Sequence, residues 1–201
     1  MLRQGREHDA RFAGVADFLE RIPAECPHDL FRGSERASQK SADFIDASRL
    51  IVTEKGNFAT RLAALVIPTI GNNRLRHEAL QRFMLVNDST TLAVEVPIWL
   101  PPSEILELER EHGILLRSLD APADASITGH IDFLQVRNGA VHILDYKPDA
   151  RTNRPVAQLT IYALALTRLV PGLKLFDIKC AWFNEEEYCE FFPRTVLARK
   201  I

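Results

Sequence analysis

In the stretch ILDYKPDA, residues 143–150, an acid and a lysine stand two apart, so in a strand Asp145 and Lys147 project from one face. A second acid, Asp132, precedes them across the dipeptide Asn138-Gly139, which lies between two runs rich in β-formers. Asn-Gly suits a type I′ hairpin turn, because both central residues need positive φ. With those two residues as the loop, Arg137 pairs with Ala140. Counting outward then brings Asp132 opposite Asp145, with Cβ atoms roughly 4.5–5.5 Å apart, and His130 opposite Lys147. Like charges so placed destabilise a hairpin unless a cation intervenes. Carboxylate oxygens are hard ligands suited to Mg²⁺ or Mn²⁺, and Mg²⁺ is commonly held by one or two carboxylates while phosphate and water complete its shell. Two plainer readings stand beside this one: a surface ion pair between Asp132 and Lys147 worth about 0–1 kcal/mol, and a structural metal site in an unrelated α/β domain.

The hairpin needs a scaffold. Leu134, Val136, Val141 and Ile143 share the acids' face, while Ile131, Phe133, Leu144 and Tyr146 take the other, which suits a strand pair central in its sheet. NRPVAQLTIYALALTRLVPG reads next as a helix, with Asn153 as cap, Pro155 in its first turn and Pro171-Gly172 as its stop. Leu159, Ala163, Leu166 and Val170 form its apolar stripe, and Gln158 and Tyr162 are neighbours on an adjoining face. A strand pair follows in IKCAWFNEEEYCEFF.

Upstream, helices are expected from Asp9 to a stop at Pro23, over residues 58–67 and over residues 73–86, the last with Leu75, Ala79, Leu80, Phe83 and Met84 inward. TLAVEVPIWL reads as a strand that Pro97 makes an edge or a bulged one. PPSEILELEREHG reads as a helix with Ser103 as a possible N-cap and Gly113 as stop, inserted between strands. The organisation expected is a helical N-terminal region over residues 1–70 and a core over 71–201 with a helical insertion near 101–113.

The 201 residues, 46% hydrophobic and 26% charged, suit a globular domain, and the net charge of −2 leaves any nucleic-acid contact to local patches. Cys26, Cys180 and Cys189 contain no CxxC pair and fit a reducing compartment. No apolar run is long enough to span a bilayer, and the N-terminus lacks a signal-peptide core, so a cytoplasmic protein is expected.

Glu95-Val96-Pro97, Gly129-His130-Ile131-Asp132, Asp145-Tyr146-Lys147, and Gln158 with Tyr162 follow one another in an order that resembles the RecB-type exonuclease branch of the PD-(D/E)XK nucleases, which includes CRISPR-associated members. The resemblance implies a restriction-endonuclease-like α/β fold, a central mixed sheet flanked by helices. It implies Asp132 and Asp145 as metal ligands, Lys147 as the catalytic lysine, and Gln158, Tyr162 and Glu95 as supporting or DNA-contacting residues. A helix histidine often adds a further ligand in this branch; His77 is the candidate and Glu78 its competitor. Relatives with an iron-sulfur cluster need four cysteines, so none is expected here.

The activity implied is Mg²⁺- or Mn²⁺-dependent phosphodiester hydrolysis, on DNA rather than RNA, with an inactive nucleic-acid-binding or scaffolding subunit as the alternative. A cation there would activate water and bind a phosphate oxygen. Lys147 would hold or deprotonate that water, or neutralise charge. Arg74, Arg76, Arg82, Arg151 and Arg154, and a second group of Arg32, Arg36 and Lys40, are candidates for the nucleic-acid backbone. A protein partner in a repair, recombination or defence complex is a further expectation.

Overall fold

A computed structural model describes residues 13–118, 122 and 124–198, apart from the side chains of residues 73 and 74. The helices are α1 (Ala13–Glu25), α2 (Phe58–Val66), α3 (Asn73–Asn87), α4 (Pro102–His112) and α5 (Val156–Leu169). The strands are β1 (Glu35–Arg36), β2 (Thr53–Glu54), β3 (Thr91–Leu100), β4 (Ile127–Arg137), β5 (Ala140–Tyr146), β6 (Ile178–Phe183) and β7 (Tyr188–Phe191). They form one mixed seven-stranded sheet in the order β1-β4-β5-β6-β7-β2, with β3 along the other side of β4. The fold is the restriction-endonuclease-like α/β fold. Both short strands β1 and β2 come from the N-terminal side of residue 70, so that segment contributes to the sheet as well as to the helices.

Most expected elements form, with instructive differences at their ends. Pro23 lies inside α1, which runs on to Glu25; the start expected at Asp9 falls outside the described residues. Pro101 and Pro102 open α4, leaving Ser103 inside the helix rather than at its cap, and Gly113 closes it at φ 65°. Pro155 takes the N-cap position of α5, and Asn153 instead bonds back to Asp149. On α3 the inward residues are Leu80 and Met84, joined by Gln81, whereas Leu75 is exposed because the helix turns that side away from the sheet.

The hairpin keeps the expected register from Arg137↔Ala140 to Phe133↔Leu144, with Asn138 at φ 50° and Gly139 at φ 71°. There the ladder closes. β5 leaves β4 to stay with β6, where Asp145 pairs with Trp182 and the Lys147 N–H bonds to Phe183 O. The facing pairs Asp132–Asp145 and His130–Lys147 therefore do not form. Further along that edge β4 pairs with β1 at Ile127 and Thr128. Residues 129–132 consequently have a strand neighbour, β3, on one side alone. This gap is the structural basis of the site.

Hydrophobic burial holds the gap open from both sheet faces. Buried Leu134, Val141 and Ile143 pack with α5, in which residues 159–166 are all buried, in one core. Phe133, Leu144, Tyr146 and Phe183 pack with Leu62, Leu80 and Met84 of α2 and α3 in another. Ile131, expected beside Phe133, joins the first of these cores.

Candidate active site

Asp132 points into the gap, and its Oδ2 accepts the Tyr146 backbone N–H at 3.0 Å, where a ladder bond would otherwise have come from β4. A carboxylate thus replaces a carbonyl at the split. From α3, His77 reaches the same place: its Nε2 lies 3.6 Å from Asp132 Oδ2 and 3.2 Å from Tyr146 O. The Tyr146 ring stands edge-on to the imidazole at 5.3 Å between centroids, and its hydroxyl donates to Glu185, so Tyr146 fixes the histidine while packing in the core. Glu78, the competitor for the ligand role, is exposed and paired with Arg82.

Glu95 completes the group. Ligand atoms of His77, Glu95 and Asp132 all lie within 4.8 Å of one another. Glu95 is a non-glycine residue at φ 51°, a conformation that β-strands do not ordinarily use and that costs on the order of 1 kcal/mol. Its carboxylate accepts a short hydrogen bond from Gln81 Nε2. Gln81 was not among the residues expected to act here, although its position four residues after His77 put it on the same helix face.

Asp145 makes contacts of its own beside that trio. Its Oδ2 is 2.5 Å from Lys147 Nζ, and its Oδ1 accepts from Gln158 Nε2 at 3.3 Å. The same Gln158 nitrogen donates to the Tyr162 hydroxyl at 2.9 Å. Tyr162 is buried against Gly129, so it acts as support rather than as an exposed contact; burial pushes its hydroxyl up to about 12. Asp145 is buried, and Asp132 is largely so, with 13% of its side chain exposed. Burial first, and then the charge of Asp145, pushes the Asp132 carboxyl well above the usual carboxylate range. Asp145 is raised by burial as well, against the opposing pull of Lys147.

The expected basic contacts divide sharply. Lys40 is a nearly buried ion-pair partner of Glu35 at 2.6 Å and also donates to Ser118, so it belongs to the scaffold. Arg151 is held by Glu186 and Glu187, Arg82 by Glu78, Arg32 by Asp29, and Arg76 donates to Ile70 O. Arg36 and Arg154 are exposed, and the Arg74 side chain lies outside the described residues. Cys26, Cys180 and Cys189 are free. Among the described residues, no helix is long and apolar enough to cross a membrane.

A sheet whose central antiparallel pair splays around two buried acids, with a lysine two residues past the second and a helix glutamine bracing it, defines a nuclease-type α/β fold. The model of the PD-(D/E)XK nuclease superfamily matches residues 28–190, and the chain belongs to that superfamily. No curated protein matches it significantly. Members of the superfamily generally use divalent metals and act on nucleic acid.

The residues present fit such an ion. One imidazole nitrogen and two carboxylates converge, and burial, then the charge of the second acid, pushes the Asp132 carboxyl up, a cost of its charged form that a cation would offset. An imidazole with carboxylates suits Mn²⁺ and, with water completing the shell, Mg²⁺.

Proposed function

We propose that the protein is a Mg²⁺- or Mn²⁺-dependent nuclease of the RecB-type branch that hydrolyses phosphodiester bonds, in DNA rather than RNA. The observation that carries this reading is the convergence of His77, Glu95 and Asp132 beside the Asp145–Lys147 pair. His77, Asp132 and Glu95 would hold the cation. When bound there, it supplies Lewis acidity toward a phosphate oxygen and toward water.

The chain's own groups do the rest. Asp145 fixes the Lys147 ammonium, and Gln158 fixes Asp145, so the lysine is oriented before substrate arrives. From there the ammonium can neutralise charge growing on the phosphate or hold the attacking water in line. Tyr162, under Gly129, keeps Gln158 from rotating away. The reading includes no iron-sulfur cluster, since the chain has three cysteines and a four-cysteine ligand set is out of reach.

Incubation of single- and double-stranded DNA and of RNA with Mg²⁺, Mn²⁺ or EDTA tests the proposal, with Lys147→Ala and Asp132→Ala as controls. Metal-dependent cleavage of DNA that both substitutions abolish is the expected result. Cleavage that survives either one refutes the site, and binding without cleavage under every metal favours a scaffolding subunit.

A further inference from the structure

A cleft of about 930 Å³ opens away from the site, between the C-terminal end of α4 and the segments around Leu175 and Leu197. Its position follows from α5. Gln158 braces the active site in the first turn of that helix, while Arg168 in the last turn is held by Glu104, Glu107 and Glu111 of α4. At 1.5 Å per residue the two ends are about 15 Å apart.

Three arginines line this cleft: Arg49, Arg110 and Arg194, all exposed. Arg49 donates a long hydrogen bond to Leu197 O at 3.5 Å. Among the described residues, no carboxylate forms an ion pair with any of the three. Glu111, the acid in the lining, is taken up by Arg168. The cleft therefore presents guanidinium groups without internal counter-charge in a protein whose net charge is −2. On the same wall the Phe176 ring is 55% exposed, with the Lys174 ammonium 5.9 Å from its centroid.

We propose that this cleft binds single-stranded nucleic acid, with phosphates on Arg49, Arg110 and Arg194 and a base stacked on Phe176. The proposal deepens the reading of the chain as a nuclease and rests on it for the identity of the ligand. Guanidinium groups suit phosphate and carboxylate alike. The exposed ring decides between them, because an acidic peptide gains little from it whereas an unpaired base gains a stacking platform beside a cationic groove. A duplex keeps its bases stacked on one another, so its strands would meet the arginines and leave Phe176 unused.

Binding is measured in EDTA, which separates it from turnover, as the fluorescence anisotropy of a labelled single-stranded DNA oligonucleotide and of a duplex of equal length across a salt series. Circular dichroism melting shows that the variants are folded. Each phosphate contact on a single strand contributes about 0.7 to the slope of log K against log salt. The Arg110→Ala/Arg194→Ala double variant should therefore lower the slope by about 1.4 and weaken binding by tenfold or more. Phe176→Ala and Phe176→Leu should each weaken single-strand binding roughly tenfold and leave duplex binding unchanged. An unchanged salt slope, equal Phe176 losses on both forms, or displacement by polyglutamate as effective as by unlabelled oligonucleotide overturns the proposal. Wild-type protein that binds as expected yet never cleaves with metal refutes the nuclease reading and leaves the cleft standing. Cleavage together with variant-insensitive binding refutes the cleft alone.

Discussion

Gly129→Ala is the sharpest test of how the fold supports the site. A Cβ at residue 129 would lie 2.5 Å from Tyr162 Cε1, 3.0 Å from its hydroxyl oxygen and 3.1 Å from Cζ. Gly129 is not among the positive-φ glycines, so alanine meets a contact and no backbone strain. Two effects then oppose each other. Alanine reduces the freedom of the unfolded chain and stabilises by about 0.4–1 kcal/mol. Overpacking against a buried ring costs about 1–3 kcal/mol, and Tyr162 has little room to move, being buried and bonded through its hydroxyl to Gln158. The net expectation is a loss of about 1–2 kcal/mol, which for a chain of this size is roughly a 2–8 °C fall in Tm. Cleavage should fall by more than stability explains, up to about 100-fold, because the displaced ring carries Gln158 and with it Asp145 out of place. Urea unfolding of Gly129→Ala, Tyr162→Leu and the double variant gives the coupling directly. If alanine costs as much in the Tyr162→Leu background as beside the native tyrosine, the ring contact is not what the glycine serves, and the reasoning fails.

Three further predictions use other parts of the site and scaffold. Asp132→Asn should stabilise the metal-free protein at neutral pH while abolishing cleavage. The folded-state pKa of Asp132 is raised, so between the unfolded value of about 3.9 and the raised one the native state binds more protons, and stability in EDTA falls as pH rises through that window; unfolding of wild type and Asp132→Asn across pH checks this, the variant showing a flatter profile. Gln81→Ala releases Glu95 and should weaken Mn²⁺ affinity about 10- to 100-fold by calorimetry while leaving the hairpin intact. Lys40→Met removes one partner of a largely buried pair and should cost about 2 kcal/mol in chemical unfolding with no change in DNA binding, since Glu35 keeps some solvent contact.

Much of the site was legible because it depends on counting. The Asn138-Gly139 turn sets the hairpin register as far as Phe133↔Leu144, and counting on from there brought Asp132 towards Asp145 and Lys147, although the facing pairs it implied do not form. Helix spacing made Gln158 and Tyr162 neighbours, as they are, and the resemblance to the nuclease branch put them beside the acids. What counting could not reach is set by other elements. Where β5 abandons β4 depends on β6 drawing Asp145 and Lys147 to itself, a parallel pairing with a strand more than thirty residues away in sequence. The two-residue strands β1 and β2 carry no periodicity to read. Lys40 looked like a phosphate contact because its partner, Glu35, is separated from it by a turn rather than by a helix face.

The split also explains how two acids can lie close together in the sheet without facing each other. Had the ladder continued, Asp132 and Asp145 would have faced each other across about 5 Å with nothing between them. Instead each finds its own partner on a different side of the parting strands: Asp132 takes the Tyr146 amide and faces His77, while Asp145 takes Lys147 and Gln158. The compensation is incomplete, since both carboxyls stay above their ordinary range. Burial is the first cause in both, with the charge of Asp145 adding to it at Asp132, and a positive charge beside Asp132 would offset both effects there. If the site holds a cation as proposed, it gives up stability without the ion and would recover it on binding, so raising the free Mn²⁺ concentration should raise Tm for wild type and leave Asp132→Asn nearly unmoved.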